Sequence, residues 1–234
     1  MYKINFARAL AALIGGLVLS LAMAAPDAYR AFFDAIKNND AREVRTWLVR
    51  GVNPNAPDPE LGPPLVAAAQ ARSYDALRAL LESPETKVNG LNKRGESALM
   101  LAALHGEFDT VKKLVAKGAE VNKTDWTPLH YAAAGGNLEI AKFLVEKHAY
   151  LDAQSPNRTT PLMMAARHRN ATIARFLVDE GADPTQRNDV GISAADYFQR
   201  YGENDLANWL RGQAREFEAK YGTTAAPKKV NPAD

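Results

Sequence analysis

"TPLHYAAAGGNLEIAKFLVEKHAYLD" (residues 127–152) lies without a gap over "SALMLAALHGEFDTVKKLVAKGAEVN" (97–122) and "TPLMMAARHRNATIARFLVDEGADPT" (160–185). Weaker copies run over 35–55, 63–89 and 193–213. The small or apolar residue that opens the second half of each copy is Val44, Leu77, Val111, Ala141, Ala174 and Ala207, at intervals of 33, 34, 30, 33 and 33 residues. Within a copy, Thr127 supplies an N-cap hydroxyl and Pro128 fits a first helical turn, where a missing N–H costs nothing. Ala132-Ala133 and Ala165-Ala166 let neighbouring helices approach closely, and Phe143-Leu144 and Phe176-Leu177 give a second helix its apolar stripe. Gly118 and Gly181 then stop that helix, because a left-handed residue without a β-carbon suits a helix C-terminus. His148 takes this place in one copy, and histidine is among the few other residues enriched at positive φ. Each copy therefore predicts a pair of helices.

A period near 33 residues with T-P-L-H-x-A is a repeat signature, and residues 28–213 resemble the ankyrin-repeat family throughout. The resemblance implies an all-α ankyrin-repeat solenoid of about six helix-turn-helix repeats with short β-turn fingers. It also implies that fingers and first helices, on the concave side, meet a protein partner. The fingers read "LNKRGES" (91–97), "KTDW" (123–126), "SPNRT" (155–159) and "RNDVGIS" (187–193).

The ends differ in kind from the repeats. Lys3 and Arg8 precede an uncharged run from Ala9 to Leu21, and Ala22-Met23-Ala24 places small residues at a cleavage site. This is the pattern of a secretory signal peptide cut after Ala24. The expected organisation is a signal peptide over 1–24, repeats over 25–213, and a helix extension with a disordered tail over 214–234. Loss of Lys3 and Arg8 takes the formal net charge from +2 to zero, so nothing global draws the chain to nucleic acid or anionic lipid. The chain has no cysteine, which excludes disulfides, thiolate metal sites and thiol nucleophiles. We expect a bacterial periplasmic monomer without stable membrane insertion; secretion into the medium is the alternative location.

His130, behind a threonine, invites a catalytic reading. Its equivalents are Val66, Met100, Met163 and Asp196, which is how a scaffold position behaves. By the resemblance it bonds around its turn, with Thr127 as partner, and to the adjoining repeat. His105 and His168 sit two repeats apart, about 20 Å at helix spacings of about 10 Å, and cannot share a metal. No phosphate-binding glycine loop or nucleophile elbow is present. The expectation is a binding module with no catalytic residue, metal or cofactor, although a role as accessory or protective factor for a periplasmic enzyme, or as a secreted effector, would use the same surface. The candidate protein-binding residues are Trp126, Tyr131, Arg158, Met164, Arg167, His168 and Arg200. Trp126 stands beside the finger shortened by the 30-residue interval. Arg167, His168 and Arg169 crowd one helix end, with Arg158 on the preceding finger and Arg200 in the next repeat, as an acidic partner would need.

Overall fold

A capping residue opens the first helix of five successive repeats, and the local chemistry at each is the same problem solved with different atoms. In the computed structural model, which describes residues 25–222, twelve α-helices follow one another. They are α1 Ala25–Lys37, α2 Ala41–Val49, α3 Pro64–Gln70, α4 Tyr74–Glu82, α5 Ala98–His105, α6 Phe108–Ala116, α7 Pro128–Gly135, α8 Leu138–Glu146, α9 Pro161–Arg167, α10 Ala171–Asp179, α11 Ala194–Arg200 and α12 Asn204–Tyr221. The expected signal peptide (1–24) and the last residues of the expected tail (223–234) lie outside the described residues.

A helix start leaves backbone N–H groups without partners. Ser97, Thr160 and Ser193 accept with their hydroxyls from the N–H three residues on, at 3.2, 3.3 and 3.2 Å. After the caps Ser97, Thr127 and Ser193 the side chain at that third position reaches back to the cap's own N–H: the Met100 sulfur at 3.3 Å, the His130 Nδ1 at 3.1 Å and the Asp196 Oδ2 at 3.0 Å. Each is an acceptor. In the second repeat the cap is Pro63, which has no N–H to satisfy, and there the position is Val66.

The chain divides into two compact units, one ending at Lys87 and one beginning at Val88. In the first, α1 buries Phe32, Phe33 and Ile36, with the two phenyl rings edge to face at 5.9 Å. The Tyr29 hydroxyl accepts from Asn53 N at 3.4 Å. In the second, α5, α7, α9 and α11 pack one on the next, and each second helix lies against its own first helix. Fully buried Ala102, Ala103, Ala132, Ala133, Ala165 and Ala166 make that first-helix approach close. Val44, Leu77, Val111, Ala141, Ala174 and Ala207 are all buried at 0% exposure, so the phase read from the repeats is the phase of the core.

Two sets of asparagines tie repeats to their neighbours within the units. Asn137 Nδ2 donates to the Ala103 and Leu104 carbonyls at 2.8 and 3.1 Å, and Asn170 Nδ2 to those of Ala133 and Ala134 at 2.7 and 3.1 Å. The second set acts past the helix stops. Asn55 donates to Glu85 O and accepts from Lys87 N, Asn89 donates to Gly118 O and accepts from Glu120 N, and Asn122 donates to His148 O and accepts from Tyr150 N. His148 holds φ +63 at its helix stop, as expected.

The next rung is Asp152. Its Oδ1 accepts from Asp183 N at 2.9 Å, but a carboxylate has no N–H to offer the Gly181 carbonyl. Burial, and then the Asp183 charge, push its pKa up, against the pull of the Asp183 N–H. Asp152→Asn therefore restores a donor and removes a half-buried charge. We expect about 1 kcal/mol of added stability at neutral pH, read by urea denaturation. The gain should shrink in acid, where a protonated Asp152 can itself donate; a destabilised variant would show that the rung needs its charge.

Candidate functional site

Several exposed cations of the second helices stack on aromatic rings. Lys142 sits 5.9 Å from the Phe176 ring centre, Arg175 4.5 Å from Trp209 and Lys112 4.5 Å from Phe108. Lys112 also pairs with Asp109 at 2.8 Å. Lys142 and Arg175 thereby join successive repeats, while the Lys112 contacts stay within α6.

His130 is also fully used. Thr127 N–H donates to Nδ1 at 3.1 Å, with the Thr127 hydroxyl 2.9 Å away, and Nε2 lies 2.9 Å from the Thr159 carbonyl. Because Nδ1 accepts from a backbone N–H, the proton resides on Nε2 and is donated to Thr159. The side chain is completely buried, and burial lowers its pKa to about 4 despite the opposing carbonyls of Thr159 and Ala153. Trp126 lies edge to face on its ring at 5.2 Å. Neither nitrogen faces solvent, so the imidazole joins two repeats and has no free lone pair for a substrate.

The fingers turn through one left-handed residue at the equivalent place in each: Gly95 at φ +75, Asp125 at +69, Arg158 at +58 and Gly191 at +76. The shortened finger lost its glycine and uses Asp125. Trp126, half-buried against His130, supports that turn. The next finger closes by Ser155 N to Thr159 O at 3.0 Å and Arg158 N to Ser155 O at 2.7 Å, braced by Ser155 Oγ on Asn157 Oδ1 at 2.6 Å.

On the first helices the positions facing the fingers are Leu101, Tyr131, Met164 and Tyr197, and one turn later Leu104, Ala134, Arg167 and Arg200. Tyr131, Met164 and Tyr197 are half-buried, while Arg167 and Arg200 are exposed. The Tyr131 hydroxyl donates to Glu96 Oε1 at 3.1 Å. Burial, and then that carboxylate, push its pKa up, so it stays a neutral donor. Glu96 is steadied within the finger by Asn92 Nδ2 at 2.8 Å, and its bond with Tyr131 joins finger to helix, a link that sequence reading missed. Asn188 Nδ2 donates to the Tyr197 hydroxyl at 3.3 Å.

The basic cluster is smaller than its sequence suggests. Arg169 occupies the turn between α9 and α10 at φ +61 and pairs with Glu203 at 2.8 Å, so it is neutralised by the next repeat. The pKa of His168 is lowered, by burial first and by the Arg167 charge second, and it adds no full charge at neutral pH. Arg158, Arg167 and Arg200 remain, with no carboxylate on any of them among the described residues.

A family model described as ankyrin repeats (3 copies) matches residues 32–125 and 121–188. Among curated proteins, the rat ankyrin repeat and SAM domain-containing protein 6 is 28% identical over 134 residues, 55% of this chain but 15% of its own length. The human transient receptor potential cation channel subfamily A member 1 is 30% identical over 122 residues, 50% of this chain and 11% of its own. The human Notch-regulated ankyrin repeat-containing protein is 35% identical over 89 residues, 36% of this chain and 78% of its own. The chain thus spans a small part of the two larger relatives. Among the described residues, no helix is long and apolar enough to cross a membrane.

Proposed function

The chain belongs to the ankyrin-repeat family, whose repeats generally mediate protein–protein interaction, and we propose that it is an exported module that binds a protein partner through the fingers and first helices of residues 88–213 without catalysing a reaction. The observation that carries this reading is the contrast between faces. Lys112, Lys142 and Arg175 of the second helices stack on rings and the interior consumes its one buried imidazole, while the finger and first-helix face presents half-buried Met164 and exposed Arg167 and Arg200 that the fold does not use. Interface energy concentrates in such arginines and half-sunk apolar side chains. The leader pattern supports export, and a chain without cysteine is indifferent to an oxidising compartment; the periplasm is the proposed location.

The test is a cross-linking pull-down from the cell envelope, with N-terminal sequencing of the purified protein. An N-terminus at Ala25 and a partner lost on Met164→Ala with Arg167→Glu, but kept on Lys113→Glu, is the expected result. An intact Met1 would remove the export reading. A partner lost on Lys113→Glu alone would move the interface to the second helices.

A further inference from the structure

We propose that the partner presents an acidic segment in extended conformation, crossing α9 and α11 with carboxylates on Arg167 and Arg200 and a third near Arg158. This deepens the protein-binding reading and rests on it. Three observations converge on these residues.

The first is their isolation. Within residues 88–222, Arg94 lies 3.6 Å from Glu96, Arg169 2.8 Å from Glu203, Arg187 2.9 Å from Asp196 and Arg211 3.7 Å from Asp196, and Arg175 stacks on Trp209. Arg158, Arg167 and Arg200, like Arg215 on α12, have neither an acid nor a ring among the described residues, and by repeat register these three belong to one face. The second is backbone conformation. Arg158 stands at φ +58 in the place that Gly95 and Gly191 fill at +75 and +76. A side chain with a β-carbon is strained there, as Asp125 is at +69 in the preceding finger, and strain of this kind clusters at ligand clamps. The third is spacing. Arg167 and Arg200 are equivalent positions on packed neighbouring helices, about 10 Å apart at normal helix spacing, and a segment extended as a polyproline II helix, with three residues per turn, returns to the same face after about 9 Å. Acids three residues apart therefore meet both arginines, and a side chain between them falls on half-buried Met164 and Tyr197.

A continuous polyanion fits less well. Exposed Asp125 and Asp189 stand on the fingers either side of Arg158, with Asp189 N–H reaching the Asn157 carbonyl at 3.2 Å, so a nucleic-acid strand or an anionic membrane with unbroken charge meets repulsion on both flanks, whereas a segment with acids only at every third residue sets neutral residues against them.

The experiment is fluorescence anisotropy on the purified chain. The probe is a fluorescein-labelled peptide of about twelve residues, glutamate at every third position of a Gly/Ser background with one central leucine. A peptide of the same composition with its glutamates adjacent is the control. The spaced peptide should bind about tenfold tighter than the control, a difference of about 1.4 kcal/mol. Arg167→Gln and Arg200→Gln should each weaken it about tenfold with unchanged melting. Arg158→Gly should raise the melting temperature, since glycine suits that φ, and still weaken binding; a merely structural Arg158 would not give those opposite signs. Equal binding of the two peptides, no binding of either, an Arg158→Gly variant with full affinity, or tighter binding of single-stranded DNA or phosphatidylglycerol vesicles would each overturn the proposal. The recovered partner separates this failure from that of the parent reading. A partner lost on Met164→Ala but indifferent to the arginines removes the acidic segment and keeps the face, while one that ignores both removes the face as well.

Discussion

Gly135→Ala lowers stability by about 3 kcal/mol, although alanine is the better helix former. Helix propensity alone favours the change by about 1 kcal/mol. Against it, a β-carbon on Gly135 would stand 2.2 Å from the Leu104 carbonyl oxygen, 3.0 Å from its carbon and 2.6 Å from Asn137 Nδ2. The first two are backbone atoms of α5 that no rotamer change can move. Overpacking of this kind costs about 1–3 kcal/mol, and displacing Asn137 adds the loss of its bonds to Ala103 and Leu104, about 1 kcal/mol each. Gly118→Ala is the comparison: at φ +87 with nothing within 4 Å, it carries only the left-handed penalty of about 1 kcal/mol. Urea denaturation of the pair ranks them. A Gly135→Ala variant more stable than the parent would show that α7 does not need its close approach to α5.

The second large effect is a loss of stability in mild acid that originates at His130. Its imidazole titrates at about 4 in the folded chain and near 6.5 when unfolded. Between those values the unfolded chain takes up a proton that the folded chain refuses. Stability present above pH 6.5 is therefore lost as pH falls, about 3 kcal/mol from this one residue by pH 4. His130→Met should flatten that segment of the profile. At neutral pH the substitution should cost about 1–2 kcal/mol, because a methionine sulfur can accept from the cap N–H, as Met100 does from Ser97, and the Thr159 carbonyl is the group left without its donor. Denaturation midpoints at pH 7 and pH 4.5 for both proteins decide the matter. Equal losses in parent and variant would place the acid sensitivity elsewhere.

The fold was legible because the repeat is: the residues opening each second helix return in register, and all are buried. The role of His130 as a scaffold was legible too, but not its chemistry. Met100 and Asp196 place an acceptor on the cap N–H as His130 does, whereas Val66 follows Pro63, which has no N–H, and Met163 follows a cap that closes by the Thr160 hydroxyl. A single letter does not reveal that a thioether, an imidazole and a carboxylate answer the same N–H. Arg169 shows the converse limit. Its neighbours in sequence suggested a cluster, but its partner Glu203 lies in the next repeat, at a distance that charge counting along the chain does not see. The asparagine rungs were visible at Asn55, Asn89 and Asn122 as a recurring letter, and their meaning needed the facing carbonyls.

Hydrogen exchange on the complex with the recovered partner tests the central claim most directly, because it reports the binding face without substitution. Binding through the fingers and first helices predicts slowed exchange at 91–97, 155–159 and 187–193 and at the exposed ends of α9 and α11, with α6, α8 and α10 unchanged. Protection confined to α6, α8 and α10, with the fingers exchanging as in the free protein, would contradict it.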